Sequence, residues 1–525
     1  MKAETRESET LQSTEPILIS GDRKMTRADL DDAARRAAAV LQADGVTAGD
    51  VVAILMRNDF HYFVLAEAVR FLGAGLTPVN WHLTPDEVGY IIEDCQAVAL
   101  IAHADLMTDE MRARLSVERL YVEAVPAEIA SAYAVEADGT EDAGQDMSLS
   151  LKMNEMKPLD TVIGPPVPVL FYTSGTTGQP KAVVRKKIPP EAAQALARRS
   201  ALAFGLSAPP IKALMTGPLY HSAPNAYALY AVRQGGCLVL QPRFDAKQFL
   251  ADVETFQVTH VHMVPIMFQR LLALPESEVS KYDTGSLQHI VHGAAPCPEN
   301  VKAAMIERFG PIVNEYYAMT ELGIIACSDS VGWQANRGTV GIPPQGVSIQ
   351  IRREDGSICE PGEAGNICVK HEATDSFSYY GADEKAADMR QNAHVITGDI
   401  GFLNENGYLF ISDRKTDMII SGGVNIYPAE IEAVLSLISG VRDCVVFGVP
   451  DNEYGESVVA VIEPEAGADL DFIRTALARQ VAGFKMPRNF QMVEKMPRED
   501  SGKIKKRTLR ENYLAAVSSS SRRAS

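Results

Sequence analysis

The residues best equipped for chemistry stand in one run, Tyr172-Thr173-Ser174-Gly175-Thr176-Thr177-Gly178-Gln179-Pro180-Lys181. Glycine has no Cβ, so a loop of this kind lets backbone N–H groups close on phosphate oxygens. The hydroxyls add donors and Lys181 adds a point charge. The stretch reads as a triphosphate cradle. It is not a Walker A loop, which needs Gly-Lys-Ser/Thr, because Pro180 precedes Lys181 and Ala182 follows it. A glycine-rich hairpin turn is the bland reading, and the density of hydroxyls together with the terminal lysine weighs against it.

Further candidates follow along the chain. Pro218 to Asn225 places His221 among small residues after a strand, which suits a pocket wall. His260 and His262 alternate with apolar neighbours. With no third ligand in sight they read as histidines on a strand surface, not a metal pair. Ile290 to Pro296 ends in Gly293, Ala294 and Ala295, small enough for a flat ring to approach the backbone. Asn314 to Glu321 offers an aromatic face, a hydroxyl and a carboxylate suited to Mg²⁺. Asp399, on the turn Thr397-Gly398-Asp399, can accept both hydroxyls of a ribose. Lys485 to Arg510 is dense in Lys and Arg, against the chain's overall sign, and contains Ser501-Gly502-Lys503. A solvated face is the plain reading of that segment, and a patch for a polyanionic small molecule the sharper one.

The elements that must position these residues alternate. Thr26 is placed as a helix N-cap, followed by apolar residues at helical spacing from Leu30 to Leu41. Val51–Leu55 is a buried strand, Phe60–Leu72 a helix closed by Gly73 and Gly75, Thr84–Asp94 a helix and Ala97–Ile101 a strand. Val167–Phe171 reads as the strand before the glycine-rich loop. The alternation implies α/β with a largely parallel sheet. From about Glu123 to Leu159 the pattern weakens and reads as a poorly ordered connection. Ser348–Arg352, Gly365–Val369 and Tyr408–Ile411 read as antiparallel strands. The polar run Ser412–Asp417 marks a domain boundary, after which a small α+β module follows.

At 525 residues, two or more domains and a large core are expected. The net charge of −18 argues against general nucleic-acid binding. Seven scattered cysteines with no C-x-x-C pair suggest neither a disulfide framework nor a structural zinc site, and point to a reducing, cytoplasmic compartment. Met1 to Thr14 is polar and acidic, without a signal-peptide core, and no apolar run is long enough to span a membrane. Residues 1–16 and 513–525 are expected to be disordered.

Taken together and in order, Tyr172–Lys181, His292–Pro296, Tyr317–Glu321, Thr397–Asp399, Asp413-Arg414-Lys415, Ser421–Glu432 and Ser501–Lys503 resemble the motifs of AMP-forming acyl-CoA synthetases of the adenylate-forming superfamily. The resemblance covers about residues 17 to 512. It implies a large N-terminal α/β domain with parallel sheets and a small β-barrel-like part over 17–413. A small mobile α+β C-terminal domain would follow over 414–512. It also implies two half-reactions: carboxylate plus ATP to acyl-adenylate and pyrophosphate, then transfer to the thiol of CoA.

Carried over from the resemblance, Thr173, Ser174, Gly175, Thr176, Thr177 and Lys181 would hold the β- and γ-phosphates. Tyr317 would stack on adenine beside Ala294 and Ala295. Thr320 would contact phosphate, Glu321 would ligate Mg²⁺, and Asp399 with Arg414 would hold the ribose. Lys503 would bridge the carboxylate and the α-phosphate in the first step. Gly422 and Gly423 would line the CoA thiol path in the second. His221, Ala226, Gly293, Ala294, Ala318 and Val340 would shape the acid pocket. The chain departs from the family at Thr416 at the hinge, Ala318 for the usual glycine and Tyr316 before the tyrosine, while Ala223 and Ala226 are small where related ligases can carry larger side chains.

An acyl-AMP ligase loading a carrier protein is the enzymatic alternative, and a nucleotide-binding pseudoenzyme the non-enzymatic one. The pseudoenzyme predicts loss of a chemical group, yet Lys181, Glu321, Asp399 and Lys503 are all present. The acid is aromatic, fatty or alicyclic on this reading.

Overall fold

The computed structural model describes residues 15–137, 147–164, 169–173, 180–185, 189–371, 377–380, 383–421, 424–451, 454–499 and 502–523. The chain enters through a capping box at Thr26. Its hydroxyl accepts from the Asp29 N–H, while the Asp29 carboxylate accepts from the Thr26 N–H. The helix Arg27–Ala43 then buries Leu30, Ala34, Ala37 and Leu41 against the helix Phe60–Leu72. Alanines at those positions let the two helices approach closely. A second capping box, Thr84 with Glu87, starts the helix Pro85–Asp94.

The helices Phe60–Leu72 and Pro85–Asp94 are crossovers of a four-stranded parallel sheet in the order Gly75–Pro78, Val51–Leu55, Ala97–His103, Arg119–Glu123, and Arg27–Ala43 leads into it from the neighbouring sheet. Beside it lies an eight-stranded sheet. Its parallel centre runs Val313–Met319, His289–His292, His260–Met263, Lys212–Met215, Cys237–Leu240 and Pro16–Ser20. Antiparallel strands, Gly323–Ser328 and Arg23–Thr26, form its two edges. Ser348–Arg352, Gly365–Lys370, His394–Leu403 and Leu409–Arg414 build an antiparallel half-barrel. A short three-stranded antiparallel sheet joins Phe171–Thr173, Lys181–Arg185 and Phe377–Tyr379. The C-terminal part pairs Val441–Asp451 with Gly455–Pro464, flanked by Ile419–Ser421 and Asn489–Met492, and packs three helices on them. This is the α/β fold expected from the alternation of elements.

Several expectations need correction. The stretch 123–159 is not a bare connection. Helices Ala127–Tyr133 and Leu149–Glu155 lie within it, and the buried Glu123 carboxylate accepts from the Leu149 and Ser150 N–H groups to fix the second one. Residues 138–146 lie outside the described residues. The strand before the glycine-rich loop is Phe171–Thr173, later than Val167–Phe171; residues 165–168 are outside the described residues. The polar run at 412–417 is not all linker, because the half-barrel strand continues to Arg414.

The disordered tail from 513 is also corrected. A helix spans Lys506–Arg523, and Leu509, Tyr513 and Leu514 pack on Val445 and Phe447 of the C-terminal sheet. Three apolar side chains at helical spacing outweigh the serine-rich composition that follows them. His260 and His262, finally, are not on a surface. They are 5% and 1% exposed, because both faces of this parallel sheet are covered. No group of His, Cys, Asp or Glu able to hold a metal occurs among the described residues.

Candidate active site

The strand Val313–Met319 and its return strand carry the turn Thr320-Glu321-Leu322, and most of the site gathers around it. Alternation along the strand sends its side chains two ways. Tyr316 and Ala318 join the main core, which also takes in Ala223, Ala226 and Tyr227, and the Tyr316 ring stands 5.5 Å from that of Phe204. Tyr317 and Met319 face the half-barrel. There the Tyr317 hydroxyl donates to the Asp399 carboxylate. Asp399 pairs across the strands with Arg414, whose Nε lies 3.6 Å from Asp399 Oδ1. Burial raises the Asp399 carboxyl above its usual 3.8, against the opposing pull of the Tyr317 hydrogen bond and of Arg414.

Lys503 comes to this place from the C-terminal part. Gly502 makes the delivery possible. It has φ +83°, and a Cβ there would stand 2.7 Å from Ile266 Cγ2 and 3.1 Å from Val264 Cγ2 of the large sheet's flank. The turn is braced by Arg498, which forms an ion pair with Asp443 at 2.6 Å and also donates to the Gly502 carbonyl. Lys503 keeps access to solvent yet stands in a dense surround of protein atoms. That crowding, then the nearby Arg414, lowers its ammonium below 10.5, with Glu499 opposing. Lys503, Arg414, Asp399 and Tyr317 therefore converge from three parts of the fold.

At the other end of the turn, Thr320 Oγ1 lies 3.1 Å from Ser222 Oγ, at the start of the helix Ser222–Arg233, with His221 as its N-cap residue. Asn58 and Asn225 hold the preceding loop through the Leu219 N–H and carbonyl. Glu321 is buried, and its Oε1 accepts from the Tyr379 hydroxyl at 2.8 Å. Ala294 adopts φ +67° at the exposed end of the strand His289–His292. Only glycine fits at 293, where a Cβ would stand 2.6 Å from Tyr316 Cζ. Tyr316 is itself fixed by a 2.9 Å hydrogen bond with His262, whose imidazole burial lowers to about 4 and so keeps neutral. Behind this turn, Lys302 and Glu315 form a buried ion pair at 2.6 Å.

Residues 6–376 match the AMP-binding enzyme family, and residues 430–503 match the AMP-binding enzyme C-terminal domain. The chain belongs to the AMP-binding enzyme family. It is 30% identical over 511 residues to the long-chain-fatty-acid–CoA ligase FadD13 of Mycobacterium tuberculosis, covering 95% of each chain. It is 31% identical over 519 residues to the fatty acid–[acyl-carrier-protein] ligase ScoC of Streptomyces coeruleorubidus, covering 96% of this chain and 94% of that protein. Among solved structures it is similar to the o-succinylbenzoate CoA synthetase MenE of Bacillus subtilis in complex with the acyl-adenylate intermediate OSB-AMP. That likeness has a TM-score of 0.77 and 27% identity over 93% of this chain and 94% of that one.

Of the AMP-binding motifs, Tyr317, Thr320, Glu321, Asp399, Arg414, Lys503, Ala294 and His221 are all described. Lys181 begins the strand Lys181–Arg185 and pairs with Thr173. Ser174, Gly175, Thr176, Thr177, Gly422 and Gly423 lie outside the described residues. Ala226 and Ala318 belong to the same core as Tyr316, and Gly293 packs against the Tyr316 ring. Val340 packs instead in the half-barrel cluster with Leu322 and Leu409, on the Tyr317 side of the strand. Ala295, half-buried, follows Ala294. Sequence reading missed Tyr379 and Ser222. Neither sits in a recognisable spacing, so only the folded chain relates them to Glu321 and Thr320.

Proposed function

We propose that this protein activates a carboxylic acid with ATP and transfers the acyl group to CoA, with the residues above in the roles that follow. In the first step a carboxylate oxygen attacks the α-phosphorus and the bond to pyrophosphate breaks. In the second a thiol sulfur attacks the acyl carbon, its proton departs to solvent, and AMP leaves with the bonding electrons. The convergence of Lys503, Arg414, Asp399 and Tyr317 carries the proposal. An aromatic ring, a ribose-binding carboxylate and two cations at one place fit a nucleotide whose α-phosphate is under attack.

Asp399 holds the ribose hydroxyls, Tyr317 covers adenine beside Ala294 and Ala295, and Lys503 draws the carboxylate to phosphorus. Lys181 and the hydroxyl-rich loop hold the terminal phosphates, and His221 shapes the junction of the acid and thiol paths. Glu321 fits a Mg²⁺ role: Tyr379 occupies one of its oxygens and orients the other, and Mg²⁺ commonly takes one carboxylate plus phosphate oxygens and water. When bound, the ion neutralises charge on the phosphates. The acid lies between Ala223 and Ala226 on one side and Ala318 and Tyr316 on the other.

The proposed division is at 413/414, with 17–413 as the adenylating domain and 414–512 as a domain that turns about Thr416, an exposed residue between two strands. Such a turn would withdraw Lys503 and present residues 422–423 to the thiol. A cytoplasmic setting is supported by seven free cysteines. No helix among the described residues is long and apolar enough to cross a membrane. Pyrophosphate release, measured with ATP and Mg²⁺ over fatty, aromatic and alicyclic acids with and without CoA, tests the proposal. Acid-dependent release whose turnover needs CoA supports it. Release indifferent to CoA would favour a carrier-protein acceptor, as in the name of ScoC. ATP binding without release for any acid would sink the enzymatic reading.

A further inference from the structure

We infer that Asp94 and Tyr90, on the last turns of the helix Pro85–Asp94, are positioning residues that anchor the hairpin carrying Lys181. This rests on the proposed role of Lys181 at the nucleotide phosphates. The hairpin pairs Phe171–Thr173 with Lys181–Arg185, in the register Tyr172↔Ala182 and Thr173↔Lys181. Both of its strands are tied to the same helix. On the first, the Tyr172 hydroxyl donates to Asp94 Oδ2 at 2.6 Å. At the head of the second, the Tyr90 hydroxyl reaches the carbonyl of Pro180, the residue before Lys181, at 3.2 Å. Tyr90 also approaches Asp94 Oδ1 at 3.5 Å, one helical turn away.

The helix is a firm base. Its start is fixed by the Thr84 capping box, and Val88, Ile91 and Ile92 are buried. Burial and Asp94 both push the Tyr172 and Tyr90 phenols upward, so they remain protonated donors across the working pH range. The same small sheet continues to Phe377–Tyr379, where Tyr379 pairs with Val183 and its hydroxyl holds Glu321. Tyr380 adds two ties, its N–H to the Ala182 carbonyl at 3.0 Å and its hydroxyl to Gln96 at 3.3 Å. One helix end thus fixes the sheet that spaces Lys181 from Glu321. No glycine-rich motif contains Tyr90 or Asp94, so nothing in the loop's own residues points to them.

The experiment compares Asp94→Ala, Asp94→Asn, Tyr172→Phe and the Asp94→Ala/Tyr172→Phe double variant in the full chain. Mg²⁺-ATP affinity is read by calorimetry and unfolding by thermal melt. For an acid found by the pyrophosphate assay, each half-reaction is then measured separately, the second from synthetic acyl-adenylate and CoA. Misplacement of a binding group by about an ångström lowers rates by up to roughly a hundredfold. Asp94→Ala is therefore expected to weaken ATP binding and to slow adenylation by about ten- to a hundredfold, while thioester formation stays within about twofold. Asp94→Asn keeps an acceptor and should recover much of the loss. Asp94→Ala and Tyr172→Phe remove one shared bond, so the double variant should be no worse than Asp94→Ala alone. Unchanged ATP affinity in Asp94→Ala overturns the inference, as does an equal fall in both half-reactions. Wild-type protein that binds ATP but activates no acid would refute the proposed function instead, and the ATP titration would still decide the anchor.

Discussion

The sharpest perturbation is Gly502→Ala. The added Cβ would stand 2.7 Å from Ile266 Cγ2, closer than unbonded carbons settle, and the neighbour is a β-branched side chain with little freedom to turn away. Overpacking of this kind costs about 1–3 kcal/mol. The left-handed φ of +83° adds about 1 kcal/mol of strain, but that strain stays with the loop wherever the loop sits. The collision exists only while the Lys503 turn rests on Val264 and Ile266. At roughly 1.36 kcal/mol per factor of ten, adenylation should fall by about 5- to 160-fold. Thioester formation from supplied acyl-adenylate should be nearly untouched. The assay is single-turnover measurement of each half-reaction, with Ile266→Ala as the relief: the double variant loses the colliding methyl and should regain most of the adenylation rate. Wild-type adenylation in Gly502→Ala would refute the reasoning, as would equal losses in both steps or a double variant with no recovery.

Lys503→Gln should lower adenylation by about a hundredfold or more, the scale for removing one group that stabilises transition-state charge, and leave the second half-reaction intact in the same assay. Lys302→Met strands the buried Glu315 carboxylate and should cost about 3–5 kcal/mol in urea unfolding; loss of less than about 1 kcal/mol would contradict burial of the pair. Around Asp59 the sign of the pH dependence can be worked out. Burial opposes charge on both Asp59 and His61, but their mutual attraction prevails, holding the Asp59 carboxyl well below 3.8 and His61 above 6.5. The Asp59 contribution is therefore full above pH 3.8 and lost on acidification. That of His61 is full below pH 6.5 and fades as pH rises through its raised value. His61→Gln should thus destabilise more at pH 6 than at pH 9 in thermal melts.

The parts of the candidate site that could be proposed from the sequence are those whose chemistry is local. Glycine and hydroxyl runs, a carboxylate on a tight turn and a lysine after Ser-Gly can be recognised without a fold. The capping threonine at 26 was equally readable, because a cap and its partner lie three residues apart. What could not be read depends on neighbours distant in sequence. Tyr379 serves Glu321 across 58 positions. His262 alternates with apolar residues as an exposed residue would, and only the second covering layer buries it. The helix at 506–523 was hidden because three apolar anchors precede a serine run, and composition averages the two together.

The first strand, Pro16–Ser20, has its parallel neighbour at Cys237–Leu240, with Leu18 beside Leu238. A chain leaving the ribosome from its N-terminus holds that strand for some 220 residues before the mate exists. Pairing across such a span is slow and leaves an apolar segment exposed meanwhile. The helix Arg27–Ala43 can form at once by itself and, after Phe60–Leu72 emerges, can pack with it, keeping the waiting strand close to a growing surface. Shortening the chain at its beginning would then do more than trim an end: it would bare the backbone edge of Cys237–Leu240, an invitation to pair with another copy.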